Sequence, residues 1–441
     1  MNLHPLLRSL AHRNYRLYFV GQGTSLIGTW MQQVAMSWLV FQMTQSSFQL
    51  SVVLFAGQIP ALFLSPMAGA LADRWDRHRV LLLTQTLAMM QAFLLALLTW
   101  TGRIDVWQLI LLSLFLGIVN TFDMTTRQAF LSELVTRRAD LGNAIALNSF
   151  TVNGARLLGP TLAGILLTQT SAEVCFLLNG LSYLAVLLAL LAMRLEGPRR
   201  ERPTVPLWQG LRDGFRYVRE FAPIRTLLLL LALSSLAGMS YTVLLPEFAV
   251  RRLGGDARTL AFLMAASGLG ALTGALFLAS RRSVLGLDRW IWLALTLLGL
   301  GLLAFVGVTD FWLALLVLFT IGFCMMVEIA ASNTLLQTLV AEDKRGRVMS
   351  FYTMAFLGMA PLGSLLTGVL AAWLGLTITF LINGLLCLTG AALFGLRMPL
   401  YGRLTIVGEN PCNRCSAAIP SAVGVAAKTP GGYTQKEMDR E

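Results

Sequence analysis

The sequence predicts an all-α polytopic membrane protein, built as two six-helix bundles related by a parallel pseudo-two-fold repeat. Three observations support this prediction. Apolar runs of membrane-spanning length recur along the chain, only 13% of the residues are charged, and the two halves resemble each other. Soluble domains carry about 25% charged residues. The chain therefore has too little charge for a water-facing surface, and a bilayer is the alternative solvent.

Twelve apolar runs are long enough to cross the hydrocarbon core, which takes about 20 residues of helix. Short polar breaks such as Gly102-Arg103 and Thr309-Asp310 separate them. We number these predicted spans 1 to 12. They lie at about 17–42, 49–72, 80–101, 107–126, 143–168, 174–194, 224–248, 259–280, 288–308, 311–334, 348–372 and 376–396.

The basic residues are divided unevenly between the loops. The chain has 34 Lys and Arg residues. With the N-terminus inside, Arg156 lies within a span and four arginines fall on the outer side: Arg103, Arg251, Arg252 and Arg258. All the others fall on the inner side. This asymmetry follows the positive-inside rule. It predicts a multi-pass protein of a bacterial-type inner (plasma) membrane with both termini in the cytoplasm. A nucleic-acid-binding protein would instead group its basic residues on one soluble face.

Internal similarity relates the two halves of the chain, as expected for repeat architectures. Residues 204 or 205 positions apart match, and the clearest pairs are Gly159 with Gly363, Gly164 with Gly368, Asn179-Gly180 with Asn383-Gly384, and Gly69-Ala70-Leu71 with Gly274-Ala275-Leu276. The predicted units are a bundle at 1–195, a cytoplasmic loop at 196–223, a second bundle at 224–400 and a disordered cytoplasmic tail at 401–441. Apolar residues at helical spacing predict an amphipathic helix on the inner leaflet within the loop; the alternative is a solvated linker.

The loop between spans 2 and 3 reads GALADRWDRHRV, residues 69–80. It resembles the signature loop of the major facilitator superfamily, in which a glycine is followed by Asp-Arg and then by basic residues. The superfamily usually has glycine where this chain has Asp76. Because aspartate tolerates left-handed backbone better than most residues, the turn is expected to survive. The matching residues are Gly69, Asp73, Arg74, Arg77 and Arg79.

This resemblance implies a gate at the cytoplasmic ends of the halves. Gly69 would allow close helix approach, and Asp73 with the arginines would form an ion-pair network. The alternative is that these charges only set topology. The second copy, at 274–284, keeps Gly274 and two arginines but has Leu278 in place of the aspartate.

Two carboxylates, Asp123 and Glu328, are related by the repeat in spans 4 and 10. In the superfamily an acidic residue there commonly joins the gate network. Asp123 is therefore expected to pair with Arg77 or Arg127, and direct proton carriage is the alternative. By the same symmetry, Glu328 is expected to pair with an arginine of the second loop, Arg281 or Arg282.

Span 5 contains NGARLLGPTLAG, residues 153–164. It resembles the span 5 motif of the superfamily's drug/proton antiporters, with matching residues Gly154, Gly159, Pro160 and Gly164. The motif prefers one residue fewer between the first two glycines. Pro160 bends the helix, and the glycines are expected to let another backbone approach. The expected partner is span 8, whose Gly270 and Gly274 have GxxxG spacing.

Arg156 stands in the middle of this motif, where a charge costs about 2.5–3.5 kcal/mol on insertion scales. It must face a cavity or a carboxylate. We therefore expect contact with an anionic or polyphenolic substrate or a role in proton coupling. The alternative is a structural role, as an ion pair or a hydrogen-bond anchor. Other candidates for substrate or coupling contacts, each of which could instead bond between helices, are Gln22, Gln32, Gln33, Gln58 and Asn120. Glu247, at the outer end of span 7, is a further candidate and could instead belong to an outer gate.

Over residues 10–395 the chain resembles the enterobactin-exporter-like, drug and siderophore efflux branch of the superfamily, through stretches such as RQAFLSELV and LLPEFAV. The resemblance implies a monomeric secondary transporter that exports a small amphipathic molecule by alternating access, with proton antiport. The alternatives are translocation of lysophospholipid or another lipid, and facilitative transport without protons.

An enzyme is disfavoured by the sequence, and no cofactor or metal is expected. The three histidines, His4, His12 and His78, lie in arms or loops, and no GxxxxGK[ST] phosphate-binding loop occurs. Cys412 and Cys415 form a CxxC without a second cysteine pair or a nearby histidine, so zinc is not expected.

Overall fold

The computed structural model describes residues 8–131, 133–135, 137, 140–194, 215–281, 284–340 and 344–408, and these are helical except for short connections. A 3₁₀ turn at Arg8–Ala11 precedes the first helix. The α-helices are α1 Arg13–Thr44, α2 Ser47–Arg74, α3 Arg77–Trp100, α4 Val106–Leu131, α5 Leu141–Gln169, α6 Ala172–Leu191, α7 Ala222–Leu233, α8 Leu245–Arg251, α9 Ala257–Ala279, α10 Leu287–Ala304, α11 Phe311–Leu339, α12 Arg345–Leu357 and α13 Met359–Gly408.

The polar breaks between the apolar runs act as helix caps. Ser46 accepts a hydrogen bond from the backbone N–H of Gln49 at the start of α2. Asp256 forms a capping box with Thr259 at the start of α9. Asp310 accepts from the backbone N–H of Leu313, at 2.8 Å. Because the first N–H groups of a helix lack intrahelical partners, these side chains explain why the helices begin at these residues.

Ten helical stretches among the described residues are long and apolar enough to cross a membrane. One of them, Val348–Arg397, has 50 residues, which is more than twice the length of a single span. It contains Gly375, whose φ of 79° interrupts the helix, at the predicted boundary between spans 11 and 12. Helix α1 has 32 residues but is not among the ten.

Span 7 is not the continuous helix that its apolar composition predicts. After α7 comes a π-helical turn, Ser234–Gly238, then a 3₁₀ turn, Ser240–Val243, and the short α8. Serine and glycine are weak helix formers because serine side chains compete for backbone groups and glycine is flexible. The Ser240 hydroxyl indeed donates to the Leu236 carbonyl, at 2.6 Å.

Two further predictions concern the loop and the tail. Residues 215–220 are helical, within the predicted amphipathic helix, and the rest of the loop up to 214 lies outside the described residues. The tail was expected to be disordered from residue 401, but α13 continues to Gly408. Residues 409–441 lie outside the described part of the chain.

Glycines of the repeat make matching contacts in the two halves. A Cβ at Gly159 of α5 would lie 2.9 Å from the Ile27 carbonyl oxygen of α1, and one at Gly363 of α13 would collide with the Leu236 carbonyl oxygen in the π turn after α7. Each glycine thus brings two backbones together within its own half, as small residues do between membrane helices.

The second matching pair of glycines lies between the halves. A Cβ at Gly164 of α5 would lie 2.5 Å from the Ala261 Cβ of α9, and one at Gly368 of α13 would collide with the Ser51 side chain of α2. The contacts between the halves therefore run along two seams, α5 with α9 and α2 with α13.

Candidate functional site

A cavity lies between the two seams, and both halves supply its walls. Its volume is about 60 Å³, enough for a few water molecules and well below the roughly 300–1,000 Å³ of small-molecule sites. A drug-sized ligand can enter only if the halves move apart. Polar and aromatic lining residues are Trp30, Gln33, Gln58, Arg156, Tyr241, Thr242, Ser267 and Ser364.

Arg156 lies near the middle of α5, on the wall of this cavity. Its guanidinium carbon is 5.6 Å from the ring centroid of Trp30 in α1, within the range of a cation–π contact. Among the described residues, no carboxylate forms a salt bridge with it. Of the expected alternatives, the structural ion pair is therefore not formed within the described part of the chain.

The glutamine candidates divide between the cavity and the protein interior. Gln33 and Gln58 line the cavity. Gln32 is buried away from it, accepting from the Asn179 amide of α6 at 2.8 Å and donating to the Gln91 amide of α3 at 3.3 Å. Gln22 is also buried, and Asn120 is exposed, and neither is among the cavity-lining residues.

Several cavity residues were not predicted from the sequence. Tyr241 follows the π turn and shares a 2.6 Å hydrogen bond with the Ser267 hydroxyl of α9. Trp30 supplies the ring on which Arg156 lies. The cluster of Ser, Gly and Tyr at 234–241 gave no clear signal, because small and hydroxyl residues are also common where membrane helices pack together.

Glu247 lies at the end of the bundle where α1 ends, which we call the distal end. Its carboxylate accepts a 2.5 Å hydrogen bond from the Ser47 hydroxyl of α2 in the other half. It also forms a salt bridge with Arg251, one turn later in the chain, at 3.0 Å. The Arg251 guanidinium donates to the Gln45 carbonyl, at 3.3 Å. These bonds hold the halves together at the distal end.

At the opposite, proximal end, the predicted gate loop is described only in part. Asp73 and Arg74 end α2, but their side chains lie outside the described part. Arg77 donates to the Glu133 carboxylate after α4, at 2.7 Å. Arg79 lies 3.6 Å from Asp76 on an exposed surface. No described atom lies within 4 Å of a Cβ placed on Gly69, so the close helix approach expected there is absent from the described residues.

Asp76 does not adopt the left-handed backbone expected of it. Its φ is −67° and its ψ is 109°, which is extended backbone, and its carboxylate accepts from the N–H groups of His78 and Arg79. The substitution for glycine is therefore tolerated for another reason. An aspartate at this position caps α3.

Asp123 is buried in α4 and fully partnered. Thr84 and Gln85 of α3 donate to one oxygen, at 3.0 and 2.7 Å. Arg127, one turn later, lies 3.3 Å from the other oxygen. Of the two expected basic partners, Arg127 contacts the carboxylate, and Arg77 pairs with Glu133 instead.

Glu328 does not form the expected pair with Arg281. The Glu328 side chain is buried in α11, and both carboxylate oxygens lie 3.0 Å from the Ser234 hydroxyl. Arg281 lies over the Trp290 ring and donates to the Leu285 carbonyl. The expectation relied on the repeat, but the second copy of the loop has diverged. Arg282, the other expected partner, lies outside the described residues.

The glycines of the span 5 motif differ in their surroundings. Gly159 and Gly164 pack against α1 and α9, whereas no described atom is near a Cβ on Gly154. The expected partners Gly270 and Gly274 face α11 instead, at Phe319 and Phe323. The glycine of α9 that meets α5 is Gly268, where a Cβ would lie 2.6 Å from the Arg156 carbonyl oxygen.

Solved structures of transporters share this architecture. A bacterial homologue of the human lysosomal transporter Spinster, in an inward-facing occupied conformation, aligns with a TM-score of 0.68 over 90% of this chain and 98% of that protein, at 15% identity. A peptide transporter aligns with a TM-score of 0.72 over 89% of this chain and 95% of that protein, at 12% identity. These likenesses show that the chain shares the fold of those proteins.

The chain belongs to the transmembrane secretion effector family of the major facilitator superfamily, and residues 5–416 match the model of this family. This confirms the resemblance found in the sequence. The family consists of transporters, so the chain is not an enzyme.

Similar proteins include efflux transporters that match most of the chain. The staphyloferrin A transporter of Staphylococcus aureus is 28% identical over 85% of this chain and 94% of its own length. The multidrug efflux pump Tap of Mycolicibacterium fortuitum is 26% identical over 81% of this chain and 89% of its own length. The enterobactin exporter EntS of Escherichia coli is 28% identical over 82% of this chain and 86% of its own length.

Proposed function

We propose that this protein exports a small amphipathic anion of the siderophore or acidic drug type across the inner membrane by alternating access, in exchange for protons. Arg156 carries the proposal. It places a cation on the wall of the central cavity, and no carboxylate among the described residues forms a salt bridge with it. Because an uncompensated charge inside a membrane is costly, a substrate anion is its natural partner.

The remaining cavity residues suit an amphipathic substrate. Trp30 and Tyr241 offer aromatic surfaces, and Gln33, Gln58 and Ser364 offer hydrogen-bonding groups. The relatives named for staphyloferrin A and enterobactin support a siderophore-type substrate. The relative named as a multidrug pump supports a broader range.

The proposed architecture is twelve spans in two six-helix halves, 1–195 and 224–400, with both termini cytoplasmic. The length of α1, the break at Gly375 and the matching glycine contacts of α5 and α13 support it. The distal end is then the outer end, and Glu247 belongs to an outer gate. Asp73, Arg77 and the proximal charges would form the inner gate.

Transport in proteoliposomes tests the proposal. Wild type and Arg156→Ala are compared for uptake of staphyloferrin A and enterobactin into vesicles with an imposed pH gradient, with the cation ethidium as charge control. A hydrogen bond to a charged group is worth about 1.5–3 kcal/mol, so we expect the anion KM to rise about ten- to hundredfold in the variant. Uptake of ethidium should not fall.

Arg258→Ala is the matched control. Arg258 also lies 5.6 Å from an aromatic ring, that of Phe262, but it is exposed and does not line the cavity. Equal losses in the two variants would remove Arg156 from the substrate site. Wild-type movement that ignores the pH gradient would favour facilitative transport, and movement of lysophospholipid alone would favour the lipid alternative.

A further inference from the structure

We propose that Glu328 is a proton-binding site that couples proton entry to the shape of the central cavity; this rests on the proton antiport of the proposed function. Glu328 lies in α11 with 1% of its surface exposed, and no described cation forms a salt bridge with it. Burying a carboxylate without a counter-charge costs much free energy when the group is ionised and little when it is protonated.

The repeat provides an internal comparison. Glu328 corresponds to Asp123 at the 205-residue offset, and the residue one turn later is Arg127 in the first half and Ser332 in the second. Arg127 neutralises Asp123. Ser332 is fully buried, and its hydroxyl has no hydrogen-bond partner among the described residues. The second half therefore has the carboxylate without the corresponding cation.

The described neighbours of Glu328 supply no positive charge. The ionisable groups near it among the described residues are the Tyr352 phenol of α12 and the Cys387 thiol of α13, neither of which carries a positive charge. Among the described residues, α9 and α10 place no ionisable group against it, and α7 contributes the Ser234 hydroxyl. The site can therefore become neutral only by taking up a proton.

The hydrogen bonds around Ser234 fit both protonation states. Its hydroxyl lies 3.0 Å from each oxygen of Glu328 and 3.2 Å from the Leu231 carbonyl oxygen. A hydroxyl has one proton to donate and can also accept. With Glu328 protonated, the carboxyl donates to Ser234, which donates to Leu231. With Glu328 ionised, Ser234 turns its proton toward the carboxylate and releases Leu231.

This switch lies at the start of the π turn, and π turns inside helices are often found at functional sites. Ser235 donates to the Phe356 carbonyl of α12, at 2.5 Å. Met239, Tyr241 and Thr242 follow the turn and line the cavity, as does Met325, one turn before Glu328. A proton bound at Glu328 thus changes bonds in the backbone segment that shapes the cavity.

Infrared titration and transport together test the inference. We expect the wild-type protein in nanodiscs to show a C=O band of a protonated carboxyl that disappears as pH rises, and Glu328→Gln to lack it. Glu328→Gln imitates the protonated form. The rate of gradient-driven staphyloferrin A uptake should therefore fall at least tenfold in this variant, while exchange without a gradient continues. Ser234→Ala, which keeps the carboxyl and removes its hydrogen-bond partner, should shift the pH at which the band disappears.

The outcomes separate the two proposals. A wild-type band that persists in Glu328→Gln, or full gradient-driven uptake by that variant, would overturn the assignment of Glu328. Wild-type uptake that ignores the gradient would overturn proton antiport, and the infrared band alone would then decide whether Glu328 binds a proton. Loss of both uptake and exchange in Glu328→Gln, with an unchanged Ser234→Ala titration, would indicate a purely structural residue.

Discussion

At the scale of single residues, Asp123 and Arg127 depend on each other. Asp123 is buried, and the Arg127 side chain is 23% exposed. Removing one partner leaves the other charge without compensation in a poorly hydrated site. Removing both partners avoids that penalty, so the pair should show strong coupling in a double-mutant cycle.

We expect Asp123→Asn to lower the free energy of unfolding by about 2 kcal/mol, because Arg127 then lacks a counter-charge. The combined Asp123→Asn, Arg127→Gln variant should recover part of this loss. Thermal unfolding in detergent, followed by tryptophan fluorescence, measures both effects. Strictly additive losses would show that the two side chains do not interact.

At the scale of helices, the seam between α5 and α9 depends on the absence of particular side chains. A Cβ at Gly268 would lie 2.6 Å from backbone oxygen, which cannot move aside as a side chain can. Gly154, in the same seam region of α5, has no such neighbour among the described residues. The two glycines therefore predict opposite responses to the same substitution.

We expect Gly268→Ala to push α9 away from α5 and to lower both the unfolding temperature and the transport rate. Gly154→Ala should be neutral or stabilising by about 0.5–1 kcal/mol, because alanine is the better helix former. Unfolding temperatures and initial uptake rates of the two variants are measured side by side. A loss in Gly154→Ala as large as that in Gly268→Ala would contradict this account of the seam.

At the scale of the whole molecule, the distal end is closed by polar contacts between the halves. The hydrogen bond from Ser47 to Glu247 joins α2 to α8. A bond to a charged group contributes about 1.5–3 kcal/mol. Breaking it should change the balance between states open at either end by about tenfold or more.

We expect Ser47→Ala to increase the population that is open at the distal end. Distances between spin labels on the distal ends of α2 and α9 would report the change. Ser171→Ala is the matched control, because Ser171 lies at the same end and its side chain makes no capping hydrogen bond. Equal populations in wild type and Ser47→Ala would mean that the closure does not depend on this bond.

Much of the fold could be predicted because the bilayer imposes simple rules on sequence. Helices must be long and apolar, and polar breaks such as Asp256 and Asp310 cap them. The glycines of the repeat also predicted close helix approach, and Gly159 and Gly164 do lie against neighbouring helices. Span 8 packs against span 5 as expected, but the choice of Gly270 and Gly274 within it was wrong, because a glycine pair does not show which neighbouring helix it faces.

The candidate site was only partly predictable. Arg156 stood out because a charge within an apolar run is costly, and it does line the cavity. Tyr241, Ser267 and the π turn were missed, since ordinary hydroxyl residues in a span carry no such signal. Gln32 and Gln33 are adjacent in sequence, yet one is buried among α3 and α6 and the other faces the cavity.

The sequence by itself determined that this protein lies in a bilayer, and it determined most of the helices, the superfamily and the position of the unusual charges. These follow from hydropathy, spacing and local capping, which act along the chain. The tertiary structure alone decided which of the expected partners are used. Arg127, one turn from Asp123 in the same helix, does contact it, but Arg281 bonds to the Leu285 carbonyl, and the hydrogen-bond partner of Glu328 is Ser234 from another helix. That difference arises because burial and ion pairing depend on neighbours in space, which the order of residues does not specify.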